Sequence, residues 1–266
     1  MYSDFHVHTA FSSDSEAAPE AQLEKAVSLG MKEICFTDHQ DLDFPPGELD
    51  FLLDTPAYVP AVQQLQNAWE GRIQLRLGVE LGLQPHLGSR LPEYVDAYPF
   101  DFVIGSTHVS RRLDPYEPAF FQGIAEEDAY RLYFEEELEN LRKYDCFDVA
   151  GHIDYVLRYG AHGGDRDPLD AYGDVLDEIL RTLIDKGKGL ECNTAGLRSR
   201  CGVTNPSPSV LLRYREMGGE ILTLGSDAHD PKDLGSRFPE LRDLLAACGF
   251  RYYTVFRERK PYFLPL

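Results

Sequence analysis

The feature that most constrains this chain is a recurrence: short apolar runs that end in polar, mostly metal-binding side chains. Phe5 leads into His6-Val7-His8, Glu33-Ile34-Cys35-Phe36-Thr37 into Asp38-His39, and the run 73–79 ends at Glu80. Phe102-Val103-Ile104-Gly105 leads through Ser106-Thr107 to His108, and Val149-Ala150-Gly151 ends at His152. Gly189-Leu190 leads into Glu191-Cys192-Asn193, and the run 221–225 leads through Ser226 to Asp227-Ala228-His229. Six of the eight histidines stand at these ends; His86 and His162 do not, and read as loop residues. Side chains alternate along a strand, so His6 and His8 point the same way and form half of a metal site.

The stretches between the runs carry helical patterns. Residues 18–29 have Pro19 near the start and Gly30 as a stop, and 57–69 and 126–142 follow, the latter with Tyr130, Tyr133, Phe134, Leu138 and Leu141 on one face. Asp167-Pro168 opens a helix striped by Leu176, Ile179, Leu180, Leu183 and Ile184, and another runs from Pro206 or Pro208 to Met217. Strands alternating with helices argue for parallel strands joined by helical crossovers. In a parallel barrel the C-terminal ends of all strands open on one face, where distant residues converge. The expectation is an α/β fold, a distorted seven-stranded (β/α)7 TIM-like barrel with the metal site at the C-terminal ends of the strands. An open doubly wound sheet is the alternative, but its end strands lie far apart. Residues 252–256 read as a final strand, and 257–261 as the start of a tail.

The length of 266 residues suits one domain spanning 1–266. No apolar run approaches the ~18 residues of a membrane span, and no signal-peptide pattern opens the chain, so a cytoplasmic protein without a membrane partner is expected. Five cysteines, odd in number and without CxxC spacing, read as reduced thiols; Cys192 alternates away from Glu191 and Asn193. A formal net charge of −19 disfavours a nucleic-acid partner.

Imidazoles and carboxylates without thiolate suit Zn, Mn or Fe. His6, His8, His39, Glu80, His108, His152, Asp227 and His229, with Asp14 added from the loop 11–16, exceed what one ion takes. Two or three divalent ions sharing a carboxylate use them better, and such a cluster suits hydrolysis of a phosphate ester. Glu16 competes with Asp14.

The ordered set His6-Val7-His8, Thr37-Asp38-His39, Gly78-Val79-Glu80, Ser106-Thr107-His108, Gly151-His152 and Ser226-Asp227-Ala228-His229 resembles the motifs of the PHP (polymerase and histidinol phosphatase) family, from Asp4 to about Phe256. The resemblance implies a trinuclear centre. One ion would take His6, His8, Glu80 and Asp227, a second would share Glu80 and add His108 and His152, and a third would take Asp14, His39 and His229. The stretches 151–160 and 191–198 resemble the histidinol-phosphatase branch, which makes Arg158 and Arg198 the phosphate-binding candidates; a guanidinium fork matches phosphate oxygens. Asn193 would meet substrate or orient a ligand, and Asp154 would orient a neighbour. The implied activity is hydrolysis of L-histidinol phosphate to L-histidinol and phosphate, a step of histidine biosynthesis, through hydroxide formed at the metals near Glu80. Asp227 and His229 are the remaining catalytic candidates, with the proton donor to the leaving group left open. The alternative is a PHP phosphoesterase acting on nucleotides or other small phosphate esters.

Overall fold

The computed structural model describes residues 2–266. Along the chain come β1 (Asp4–Val7), α1 (Pro19–Ser28), β2 (Glu33–Phe36), β3 (His39–Gln40), α2 (Thr55–Ala68), β4 (Gln74–Gly82), α3 (Arg90–Asp96), β5 (Phe102–Ser106) and α4 (Glu126–Lys143). They are followed by β6 (Val149–Ala150), α5 (Pro168–Asp185), β7 (Gly189–Asn193), α6 (Pro208–Glu216), β8 (Leu222–Gly225), α7 (Phe238–Ala247), β9 (Tyr252–Arg257) and β10 (Lys260–Pro265). Seven strands pair in the order β1-β2-β4-β5-β6-β7-β8, each parallel to its neighbour, while β3 pairs with β4 beyond the end of β2.

The barrel is nearly closed, and β1 meets β8 at the ligand-bearing residues themselves. Asp227 N donates to His6 O at 2.8 Å and His8 N to Ala228 O at 3.0 Å. This contact excludes the open sheet, whose edge strands never meet. Buried Asp4 reinforces the seam: its carboxylate accepts from Ser226 N at 2.9 Å and from Gly235 N at 3.0 Å.

Helices form where apolar stripes and start signals coincide. In α5, Asp167 caps the first turn by accepting from Leu169 N and Pro168 occupies the first helical position. Its residues Leu176, Ile179, Leu180 and Leu183 are fully buried, while Ile184 sits at the margin. Helices α3 and α7, absent from the sequence expectation, are short and make no side-chain N-cap bond, and α7 starts after Arg237 in the left-handed region (φ 64°). The expected tail is instead a strand: Glu258 and Arg259 form a tight turn and β10 pairs antiparallel with β9. This hairpin covers the barrel floor. Arg257 pairs with Glu33 at 2.8 Å, Arg259 pairs with Asp148 at 2.5 Å, and Phe256 stacks on Phe102. Consecutive charges hid the strand because they are spent on the strand starts beneath.

Helix α4 carries one polar anomaly. Glu137 is fully buried, and neither carboxyl oxygen has a hydrogen-bond partner. Burial raises its pKa from 4.5 to about 8, and the nearby Thr107 hydroxyl, which does not reach hydrogen-bond geometry, and the charge of His108 offset only part. The native state therefore holds a proton that the unfolded chain releases. Stability from this group is fully present below pH 4.5 and is lost as pH rises to about 8. Glu137→Gln should flatten that decline, gaining on the order of 4 kcal/mol over wild type between pH 5 and 8.5. Denaturant unfolding at the two pH values checks this; parallel pH profiles would refute it.

Candidate active site

Strand ends deliver the donors, as the parallel barrel requires. His6 and His8 leave β1 with their Nε2 atoms 3.1 Å apart. Glu80 Oε2, from β4, lies 3.2 Å from His6 Nε2 and 3.4 Å from His8 Nε2. Asp227 Oδ1, past β8, lies 3.7 and 3.5 Å from the same two atoms. Four donors held tetrahedrally by one ion at ~2.0–2.2 Å stand ~3.3–3.6 Å apart, so this set matches one coordination sphere. Glu80 turns Oε1 to His108 Nε2 at 3.1 Å and His152 Nε2 at 3.0 Å, a second set sharing the same carboxylate. Asp14 Oδ2 lies 3.1 Å from His229 Nε2 and 3.5 Å from His39 Nε2, a third. Glu16, the competitor of Asp14, is exposed.

The hydrogen bonds behind these donors show why a cation fits. His6 Nδ1 lies 2.6 Å from Glu191 Oε1, a carboxylate that only accepts. The Ser12 hydroxyl donates to Asp38 and so accepts from His8 Nδ1 at 3.1 Å. His108 Nδ1 donates to Asp41 at 2.9 Å and His229 Nδ1 to the Asp227 carbonyl at 3.2 Å. In each neutral ring the proton is thereby on Nδ1, and Nε2 presents a lone pair. Lone pairs then face lone pairs or carboxylates at about 3 Å, an arrangement that repels until positive charge lies between them. Burial opposes charge on His6, but Glu191, Glu80 and Asp227 outweigh it and raise its pKa well above 6.5. His108 is likewise raised, to about 10, by Asp41 and Glu80 against burial. The cluster is a sink for cations, and divalent ions replace several protons at once. The donor sets can hold several such ions.

The PHP domain family model matches residues 4–195, most of the chain. The chain belongs to the PHP family. A histidinol-phosphatase from Lactococcus lactis is 33% identical over 258 residues, covering 97% of this chain and 95% of the relative. A relative from Clostridium acetobutylicum is 31% identical, covering 98% of each chain. The crystal structure of the Lactococcus lactis histidinol phosphate phosphatase, complexed with zinc, L-histidinol and phosphate, superposes with a TM-score of 0.91 at 32% identity, covering 98% of this chain and 100% of that one.

Around the PHP donor cluster lies a cavity of about 280 Å³ lined in part by Asp14, His39, Asp227, His229 and Arg158. Arg158 ends a short 3-10 turn after β6. It donates to Asp227 Oδ2 at 3.1 Å, Asn205 Oδ1 at 2.8 Å and Asn193 Oδ1 at 3.2 Å. Asn193 is fully buried and also donates to Asp227 and Glu191, so here it orients its neighbours. Asp154 holds Asn205 at 2.6 Å, which in turn holds Arg158, the orienting role expected of it. Arg198 lies outside the cavity lining and donates to Ser226 O at 2.9 Å and Asp227 O at 3.4 Å. It thereby braces a turn in which Asp227 adopts a left-handed backbone (φ 54°). His86 pairs with Asp43 and His162 with Asp165, both away from the cluster.

Two functional carboxylates escaped sequence reasoning. Asp41 orients His108 and lies 3.6 Å from His39 Nδ1, serving histidines of two donor sets. Gly82 makes room for it, since a Cβ there would meet Asp41 Oδ1 at 2.0 Å. Glu191 holds His6 through one oxygen and His152 N through the other. Its place directly after an apolar run was the available signal. Such outer carboxylates fix ring orientation and raise ligand basicity. Glu191→Gln should weaken metal retention about 10- to 100-fold. Metal content after dialysis against graded chelator checks this; retention equal to wild type would refute it.

Proposed function

We propose that this chain is a metal-dependent histidinol-phosphatase that hydrolyses L-histidinol phosphate to L-histidinol and phosphate. One observation carries this: over nearly its whole length the chain matches a structure described with zinc, L-histidinol and phosphate bound. The donor sets support the three-ion assignment, with His6, His8, Glu80 and Asp227 for one ion, Glu80, His108 and His152 for a second, and Asp14, His39 and His229 for a third. Divalent ions at such a centre supply Lewis acidity and make hydroxide available near neutral pH.

The chain's own residues divide the remaining work. Glu80 spans two donor sets and keeps them in register. Arg158 uses three of its N–H groups on Asp227, Asn193 and Asn205. A guanidinium has five, so two remain for phosphate oxygens. Against its burial, the charge of Asp227 keeps Arg158 protonated at any working pH. The three anchors hold the fork rigid, which is what stabilisation of charge growing on the phosphoryl group requires. Arg198 is proposed as a second cation for the phosphate, adjoining the Asp227 turn. Asp227 and His229, which line the cavity, are proposed as catalytic through the ions they would hold. No helix among the described residues is long and apolar enough to cross a membrane. A cytoplasmic location is proposed from the biosynthetic reaction.

Metal-reconstituted protein should release phosphate from L-histidinol phosphate much faster than from a nucleoside monophosphate or an aryl phosphate. Arg158→Ala should lower kcat/KM about 100-fold or more, because a preorganised charge at the reacting group is lost. Arg198→Ala should cost less. Turnover of the nucleotide but not of L-histidinol phosphate would overturn the substrate, and an Arg158→Ala enzyme as active as wild type would overturn the clamp.

A further inference from the structure

Most carboxylates on the cavity wall already face a cation-forming group. Asp14 faces His39 and His229, Asp41 faces His108, and Asp227 faces Arg158. Asp114 is different. It lines the same cavity and is partly buried, yet no Lys, Arg or His nitrogen among the described residues lies within ion-pair distance of it. Its carboxylate makes one hydrogen bond, accepting from Tyr116 N at 2.8 Å. The histidine whose charge it feels, His108, is already held by Asp41 and Glu80. Burial raises the Asp114 pKa, the mark of a carboxylate short of both water and a counter-ion.

The loop that presents Asp114 is built for position. Ser110 and Leu113 exchange backbone hydrogen bonds at 3.0 and 2.9 Å, and between them Arg111 and Arg112 both adopt left-handed backbone, φ 54° and 63°. Asn and Gly take such a turn at little cost, whereas two arginines hold it only under constraint. The constraint is visible: Glu136 accepts from both Ser110 Oγ and Arg111 N at 2.7 Å, and Arg111 donates to Phe120 O at 2.8 Å. The turn is pinned to α4, and Asp114 follows it directly.

The neighbours of Asp114 fit an organic cation. Tyr155 and Tyr159 line the cavity beside it, and its charge opposes ionisation of both hydroxyls, on top of the burial that chiefly does so. Tyr159 donates its hydroxyl proton to Tyr155 at 2.9 Å, which leaves the Tyr159 oxygen free to accept. A carboxylate, a hydroxyl lone pair and aromatic walls are the partners a primary ammonium takes.

We propose that Asp114 receives the primary ammonium group of the substrate and so sets a preference for amino-alcohol phosphate esters over their uncharged counterparts. This rests on the phosphatase reading above. The Asp114 carboxylate would hold the amine while Arg158 and the metals take the phosphate, fixing the ester at two points.

The test compares kcat/KM for L-histidinol phosphate and for its deamino counterpart, 3-(imidazol-4-yl)propyl phosphate, using the metal-reconstituted full chain. Asp114→Asn keeps the oxygen that accepts from Tyr116 N and removes only the charge. Wild type should prefer the amino ester, and the ratio between the two esters should fall about tenfold or more in the variant, as expected for loss of a charge-assisted bond. A wild type that turns over both esters equally overturns the subsite without recourse to any variant. A ratio unchanged in Asp114→Asn overturns the subsite while the phosphatase reading stands. No turnover of either ester by wild type overturns that reading and the subsite with it.

Discussion

Electron-pair donors crowded at about 3 Å, which repel one another unless a proton or a metal ion lies between them, are the constraint on which this protein depends. His6 Nε2 faces His8 Nε2 at 3.1 Å because both Nδ1 protons are committed elsewhere. The repulsion is relieved by cations, and the barrel supplies the force that holds the donors together meanwhile. The same backbone bonds that close β1 on β8 join residues 6 and 8 to 227 and 228. Closing the fold and assembling the first donor set are thus one event, which ties barrel integrity to the state of the site.

Behind the donors a layer of acceptors decides which nitrogen of each ring is offered. Glu191, Asp41 and the Asp38–Ser12 pair do this for His6, His108 and His8. Each is buried, and each would be costly there without a partner. Their cost is offset by the imidazole N–H groups they bind, so the outer layer and the donors are stable only together. Gly82 shows how closely this layer is built, since even a methyl group would collide with Asp41.

The cavity sorts its walls by charge. Arg158 is anchored on one carboxylate and two amide oxygens, so it presents a fixed positive edge rather than a mobile one. The aromatic chain from Tyr155 to Tyr159 leads away from it, with ring centroids 5.0 Å apart. Phe44 and Phe51 add an apolar wall beside His39, centroids 4.6 Å apart. A ligand with a phosphate at one end and an aromatic ring at the other meets matching chemistry along its length.

The sequence by itself determined the fold class and which polar side chains meet at one end of the barrel, because both rest on local signals. Period-two runs ending in His, Asp or Glu mark strand ends, and stripes such as Tyr130, Tyr133, Phe134 and Leu138 mark helices; parallel topology then leaves those ends one place to meet. Short helices without caps, such as α3 and α7, and the charged β10 hairpin stayed hidden because tertiary packing, not local propensity, stabilises them. Tertiary structure alone decided what lies behind and across from each ligand. That Asp41 reaches His108 and that Asn193 faces inward to steer Arg158 depends on contacts between residues 67 and 35 positions apart. So does the approach of Asp14, rather than Glu16, to the distant His229. Hydrogen-bond geometry at that range is set by how strands and loops pack, and no local pattern encodes it.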